Sequence, residues 1–269
     1  MTINHKDITV ILLLYKTPLH VIKNLKIYKN FNIFILDQSN DLKLKKELLK
    51  LLPNIKYYKI TNINLGYAKA INFLIRKVKT KYFLCTQADV VVSKNDIINL
   101  KKPFLLKKDC IISIPNIDNY KSKKKKKIFP VKSFIGAIFL SQTKKFINFR
   151  GFDQNFFFYW EDVDFSHRVS LSKYKIYINS LSKAKHLFGQ STKTNFKIYL
   201  LKNSNFKFGE YLFQHKYNKL KLIKKIREPF LILLKLIFFI ATFNRDQFYK
   251  NLSHLYGIYI FYLYLLKNN

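Results

Sequence analysis

A chain of 269 residues with 49% hydrophobic and 24% charged content is long enough to bury a sizeable core and too apolar to remain disordered. Lys and Arg outnumber Asp and Glu by 50 to 15, a formal net charge of +35, which favours anionic surfaces in general. Only five of those cations are Arg (Arg76, Arg150, Arg168, Arg227 and Arg245), whereas nucleic-acid readers lean on Arg forks for base and phosphate contacts, which discounts the excess as a sign of nucleic-acid binding.

The two cysteines, Cys85 and Cys110, make neither a metal-type spacing nor a disulfide framework, which fits a reducing cytoplasm. Met1 to Asp7 carries polar and acidic residues ahead of a short apolar run with no small-residue cleavage site, so no signal peptide is expected.

Taken in order, Ile8 to Leu14, Phe31 to Leu36 and Tyr82 to Thr86 are apolar runs of strand length, the pattern of strands buried on both faces of a parallel sheet. His20 to Tyr28, Leu42 to Leu52 and Tyr67 to Val78 place apolar residues three and four apart with lysines between, which predicts helices. The first ninety residues thus alternate strand and helix, as in a nucleotide-binding half-domain.

Ligands of open parallel sheets bind beyond the carboxyl ends of the strands. The polar groups there are Tyr15-Lys16 after the first strand, Asp37-Gln38-Ser39 after the second, Asn62 to Gly66 after the third and Gln87-Ala88-Asp89 after the fourth. No Gly-x-Gly-x-x-Gly or Gly-Lys-Ser/Thr loop is present, which argues against dinucleotide oxidoreductases and P-loop enzymes.

Farther on, Cys110 to Ile114 is apolar, and Lys121 to Lys127 is a lysine block expected to be a solvated loop. Ser133 to Leu140 resumes strand character, with Gly136 permitting close approach of backbone or ligand. Phe230 to Phe243 and Leu255 to Leu266 are apolar but short of the roughly 20 residues a membrane span needs. With lysines at 216, 219, 221, 224 and 225 ahead of them, they predict either an interfacial helical segment or a buried helical hairpin.

The densest chemistry lies at Gly151 to Arg168, where Phe156, Phe157, Phe158, Tyr159 and Trp160 precede Glu161, Asp162 and Asp164 at a helix start. Acids there suit the helix dipole, and Asp164 with Arg168 forms an i,i+4 pair. A carboxylate against an apolar wall is also desolvated, which raises its basicity and suits a general base.

In their order along the chain these clusters resemble family 2 glycosyltransferases of the GT-A fold, particularly the rhamnosyltransferase-like branch, over roughly residues 8 to 192. The residues that carry the resemblance are Tyr15-Lys16, Asp37-Gln38-Ser39, Asn64-Leu65-Gly66, Gln87-Ala88-Asp89 and Gly151 to Arg168. It implies an α/β nucleotide-binding sandwich with a central, mostly parallel sheet over residues 1–200, followed by a basic and apolar helical segment over residues 201–269.

It further implies an inverting transfer from a nucleotide diphosphate sugar to a cell-surface polysaccharide or lipid-linked glycan, at the inner face of the cell membrane. Asp162 would be the general base, with Glu161 positioning acceptor or base. Tyr15, Lys16, Asp37, Asn64, Gly66, Lys69 and Gln87 would bind the donor, with Asp37 on the base. Tyr159 and Trp160 would stack on the acceptor, while core packing claims at least two of Phe156, Phe157 and Phe158.

Asp89, with His186 in Ala184-Lys-His-Leu-Phe-Gly-Gln-Ser191, would hold Mg or Mn. Three positions depart from the family pattern: Gln87 replaces the first acid of Asp-x-Asp, Lys16 replaces Asn after the first strand, and Gln38 replaces Asn in Asp-Asn-Ser. A basic nucleic-acid-binding protein and a non-catalytic glycan-binding relative stand as alternatives.

Overall fold

The structure is a computed structural model that describes residues 5–117, 127–193 and 195–268. The lysine block lies outside the described residues except for Lys127. The chain divides into two compact units, one of Met1–Asp153 and Asp162–Lys193, the other of Gln154–Glu161 and Thr194–Asn269.

The first unit holds strands β1 (Ile8–Leu14), β2 (Asn32–Asp37), β3 (Ile55–Ile60), β4 (Tyr82–Thr86), β5 (Val90–Val92), β6 (Cys110–Ile117), β7 (Ile128–Val131), β8 (Ile138–Gln142) and β9 (Lys175–His186). Its helices are α1 (Leu42–Leu51), α2 (Tyr67–Ile75), α3 (Lys94–Asn99), α4 (Lys102–Leu106), α5 (Thr143–Asn148) and α6 (Glu161–Ser170). The strands form one sheet in the order β3-β2-β1-β4-β8-β6-β9-β5, with β7 paired to β9.

Strands β3, β2, β1 and β4 are parallel, and β8 then joins β4 antiparallel. The chain order reverses between β1 and β4, so their carboxyl ends flank the crevice where such sheets take ligands. Central position explains composition: β1 and β4 are buried almost throughout and apolar except for Thr9 and Thr86, whereas edge strand β3 (Ile-Lys-Tyr-Tyr-Lys-Ile) is half exposed.

Two expectations are corrected. The predicted helix at 20–28 is a 3-10 helix over Leu19–Tyr28. Its buried Ile22, Leu25 and Tyr28 recur every three residues, which is the repeat of that tighter helix. The strand predicted from Ser133 begins only at Ile138. Residue Gly136 gives its carbonyl to the Tyr67 hydroxyl and its amide to Asp162, so neither group is available to a ladder.

The second unit contains α7 (Phe196–Lys216), α8 (Leu222–Ala241) and α9 (Arg245–Asn268); the apolar stretch Leu255–Leu266 lies within α9, and Phe230–Phe243 lies in α8 up to Ala241 and ends two residues beyond it. Asn195 caps α7 by accepting the Ile198 amide at 2.9 Å. Phe156, Phe208, Tyr211, Leu212, Ile232, Leu236, Ile258 and Phe261 form its core. At the α7–α9 crossing, a Cβ on Gly257 would lie 2.3 Å from the Ser204 carbonyl oxygen, so only glycine allows this approach.

Lys207 is buried with its ammonium 2.6 Å from both Glu210 and Glu228, a charge satisfied twice over as burial requires. Among the described residues no helix is long and apolar enough to cross a membrane.

Candidate active site

At the carboxyl end of the parallel strands, Tyr15, Lys16, Gln38, Ser39, Asn40, Asn62 and Asn64 enclose a pocket of about 300 Å³. Lys16 and Asn40 bend the chain there with φ of 49° and 51°, the left-handed region that costs a side-chain-bearing residue about 1 kcal/mol or more. Gln38 accepts the Leu65 amide at 2.6 Å through Oε1, tying the end of β2 to the loop after β3. Asn64 accepts the Gly66 amide at 2.9 Å, and Gly66 with φ 77° begins α2. Asn-x-Gly is therefore an Asx turn that shapes the pocket.

Asp37 lies behind this pocket and is fully buried. It accepts from the Ser39 amide at 2.9 Å, from the Ser39 hydroxyl at 2.5 Å and from the Tyr58 hydroxyl at 3.2 Å. In this structure it supports the Ser39 turn. Lys69 is exposed on the first turn of α2, and Gln87 is half-buried just past β4; neither is among the residues enclosing the pocket.

Past the end of β4, Asp89 is completely buried. Its Oδ2 accepts the Ser191 amide at 3.1 Å and its carbonyl accepts the Leu187 amide at 2.9 Å. Its Oδ1 meets no hydrogen-bond donor and lies 3.6 Å from His186 Nε2, longer than a hydrogen bond but within ion-pair range. Pairing of β5 with β9, Val90 opposite His186, creates this adjacency. Burial alone would push the Asp89 carboxyl up, but His186 and the Ser191 amide outweigh it and hold it below the usual range.

An unbonded, buried carboxylate oxygen beside an imidazole fits a divalent cation. No group of three or more acidic, His or Cys ligands occurs among the described residues. Mg and Mn sites of this kind rely on one or two protein ligands, with substrate phosphates and water completing the shell.

Asp162 stands at the start of α6. Its Oδ2 accepts the Gly136 amide at 2.9 Å and its Oδ1 the Val163 amide at 2.8 Å. Burial pushes its carboxyl up, and the two amides only partly offset this. The preceding turn is clamped from two sides. Asn72 donates to the Phe152 carbonyl at 2.7 Å and accepts the Phe152 amide at 3.0 Å. Arg168 donates to the carbonyls of Phe149 and Gly151 at 3.0 and 2.5 Å while paired with buried Asp164 at 2.9 Å. Asp164 is thus structural.

In the second unit, Glu161 is buried, and Tyr159 and Trp160 both adopt positive φ, 69° and 71°. Trp160 packs on Gly209, where a Cβ would lie 2.7 Å from its ring, and against Phe206 and Phe213. Tyr159 is 37% exposed, which leaves it the more accessible ring. Of the three preceding phenylalanines only Phe156 is fully buried, the others half so.

Sequence reasoning assigned no role to Asn72, Ser191 or Leu65. Asn72 sits mid-helix among apolar residues, a buried-polar signal that could have marked it.

A nucleotide-type sheet with a polar pocket beyond β1 to β3, a buried Asp-His pair past β4 and a desolvated carboxylate at a helix start is the arrangement expected of a GT-A glycosyltransferase. Residues 12–177, more than half of the chain, match the family model of Glycosyl transferase family 2. The chain belongs to that family, and its fold is the GT-A fold.

Similar solved structures include GalNAc-T7 with UDP, GalNAc and Mn2+, at 13% identity and TM-score 0.59, covering 77% of this chain and 48% of that one. The chain therefore spans about half the length of that protein. The mannosyltransferase PcManGT from Pyrobaculum calidifontis, in complex with GDP-Man and Mn2+, is 12% identical with TM-score 0.61 and covers 96% and 87%. S. aureus TarS 1-349 is 14% identical with TM-score 0.53 and covers 94% and 90%. No curated protein matches the chain.

Proposed function

We propose that the protein moves a sugar from a nucleotide diphosphate sugar to a cell-surface polysaccharide or lipid-linked glycan by a single displacement that inverts the anomeric carbon. The observation that carries this reading is Asp162, a carboxylate desolvated at a helix start and oriented by the Gly136 and Val163 amides. Its raised proton affinity suits a general base.

In the step proposed, the acceptor hydroxyl oxygen attacks the anomeric carbon and its proton passes to Asp162. The bond from that carbon to the diphosphate oxygen breaks, and the diphosphate leaves with the electron pair. Tyr15, Lys16, Gln38 and Asn64 hold the nucleoside in the pocket they line, with Asp37 bracing its floor from below. Gly66 lets the chain turn into α2, while Lys69, exposed on the first turn of α2, and Gln87, just past β4, are assigned to the donor phosphates in this reading.

Asp89 and His186 are the groups that would hold Mg or Mn, whose charge would neutralise the departing diphosphate. Glu161, next to Asp162 in sequence, is proposed to orient the acceptor, and Tyr159 to stack on its sugar ring. Trp160 secures the Tyr159 backbone by its packing on Gly209.

Thermal-shift measurement against a panel of nucleotide sugars with Mg or Mn tests the reading, because a bound donor stabilises the fold by mass action. Stabilisation by one donor, followed by transfer to acceptor with inverted configuration, is expected. Indifference to every nucleotide sugar would sink the reading.

A further inference from the structure

Helix α8 has two apolar faces, and only one is used. Ile232 and Leu236 are buried in the core of the second unit. On the other side Leu222, Ile226, Phe230, Leu233, Ile237 and Ile240 are 48–72% exposed, and their three- and four-residue spacing sets them on one stripe. Twenty residues make that stripe about 30 Å long. On α9, which packs with α8, Tyr256, Tyr259, Leu263 and Leu266 make a second stripe, 37–78% exposed. Exposed apolar stripes of this length mark an interaction site.

From these observations we infer that the outer stripe of α8 lies in the interfacial plane of an anionic lipid surface, with the α9 stripe as a flank. Three observations select lipid over a protein partner. The only acid in α8 is Glu228, which is held by Lys207 and Lys224, so the stripe carries no negative charge. Lys219, Lys221 and Arg227 are exposed toward one end of α8, and Arg245 and Lys250 lie exposed just beyond the other, as in helices that rest on anionic headgroups. Tyr256 and Tyr259 are the amphipathic rings favoured at that depth.

A second copy seated on the stripe would bring these cations against their equivalents on a chain of net charge +35, which opposes association. Neither helix is apolar enough to span a bilayer, so the helix rests on the surface. This inference is independent of the transfer chemistry.

Co-sedimentation of the full chain with phosphatidylcholine vesicles, with and without phosphatidylglycerol, tests it. Binding is expected to anionic vesicles and to fall steeply on neutral ones. The triple variant Ile226→Ser/Phe230→Ser/Ile237→Ser should lower partitioning by about a hundredfold, since each substitution removes apolar area that would be buried at the lipid surface. Should that variant lose its helical circular dichroism, Leu222→Ser and Ile240→Ser, each alone at the helix ends, should each lower it by several-fold. Lys219→Glu/Lys221→Glu should weaken binding to anionic vesicles only.

The inference is overturned if the wild-type chain ignores anionic vesicles or if well-folded stripe variants bind as wild type. It is equally overturned if light scattering shows a dimer that the triple variant converts to monomer without any change at vesicles.

Discussion

The Gly136 amide points at Asp162 Oδ2 from 2.9 Å, and the Gly136 carbonyl is held from the other side by the Tyr67 hydroxyl at 2.5 Å. The orientation of the candidate base is thus set by α2, through one glycine, although the base itself stands at the start of α6. Tyr67→Phe should therefore lower kcat several-fold while leaving donor KM near wild type, as steady-state kinetics would show.

Asp162→Asn removes basicity and keeps size, although the amide can accept only one of the two hydrogen bonds. Transfer should fall by about 10²–10⁴-fold, the range for a lost general base, with donor binding preserved by calorimetry. Because burial raises the Asp162 carboxyl, the acid limb of kcat/KM should lie above the ordinary Asp range and disappear in the variant. Near-normal transfer by Asp162→Asn would refute the assignment.

Removing divalent cations should abolish transfer, and Mn or Mg should restore it. Asp89→Ala should resist restoration, while His186→Ala should respond at a higher metal concentration, by roughly 10–100-fold if His186 contributes to the shell. Undiminished activity in excess chelator would remove the cation from the mechanism.

Gly151→Ala should destabilise the first unit by about 2 kcal/mol or more, from strain at positive φ and a steric clash. The new Cβ would lie 2.5 Å from Asn72 Oδ1 at φ +56°. Thermal denaturation measures the loss.

Acid should loosen the second unit in two stages. Burial, with help from Lys207 and Lys250, lowers His254 from 6.5 to about 4. The unfolded chain therefore binds more protons between those values, and stability falls as pH drops through that window. Burial opposes the Glu210 charge, yet Lys207 and Lys224 outweigh it and hold that carboxyl below the ordinary Glu value of 4.5. Its stabilisation is present above 4.5 and is lost as pH falls farther. Circular dichroism against pH should show His254→Gln flattening the first stage only.

Much of the fold was legible because central strands are apolar on both faces: β1 and β4 lie at the residues expected from their runs. The polar groups after each strand could be found by counting to the strand end. What escaped notice depended on partners distant in sequence. Gln38 looked like a departure from a motif until its side chain met the Leu65 amide. Asn72 resembled any polar residue on a helix, though it fixes a turn 80 residues away. Asp37, expected by motif on the donor base, is buried and accepts from Ser39 and Tyr58, partners that no spacing in the sequence announces. The 3-10 character of residues 19–28 showed only in which side chains were buried.

The segment from Leu187 to Lys193 is fastened through its main chain: the Leu187 and Ser191 amides bond Asp89, and the Lys193 amide bonds the Lys16 carbonyl at 2.9 Å. The exposed Phe188 ring adds a contact with the His186 ring at 4.2 Å between centroids, and Gly189 turns the chain with φ 81°. Gln190 is exposed and lies between these fixed points, so new ligand preferences could arise there during evolution while the Asp89 cluster beneath stays in place.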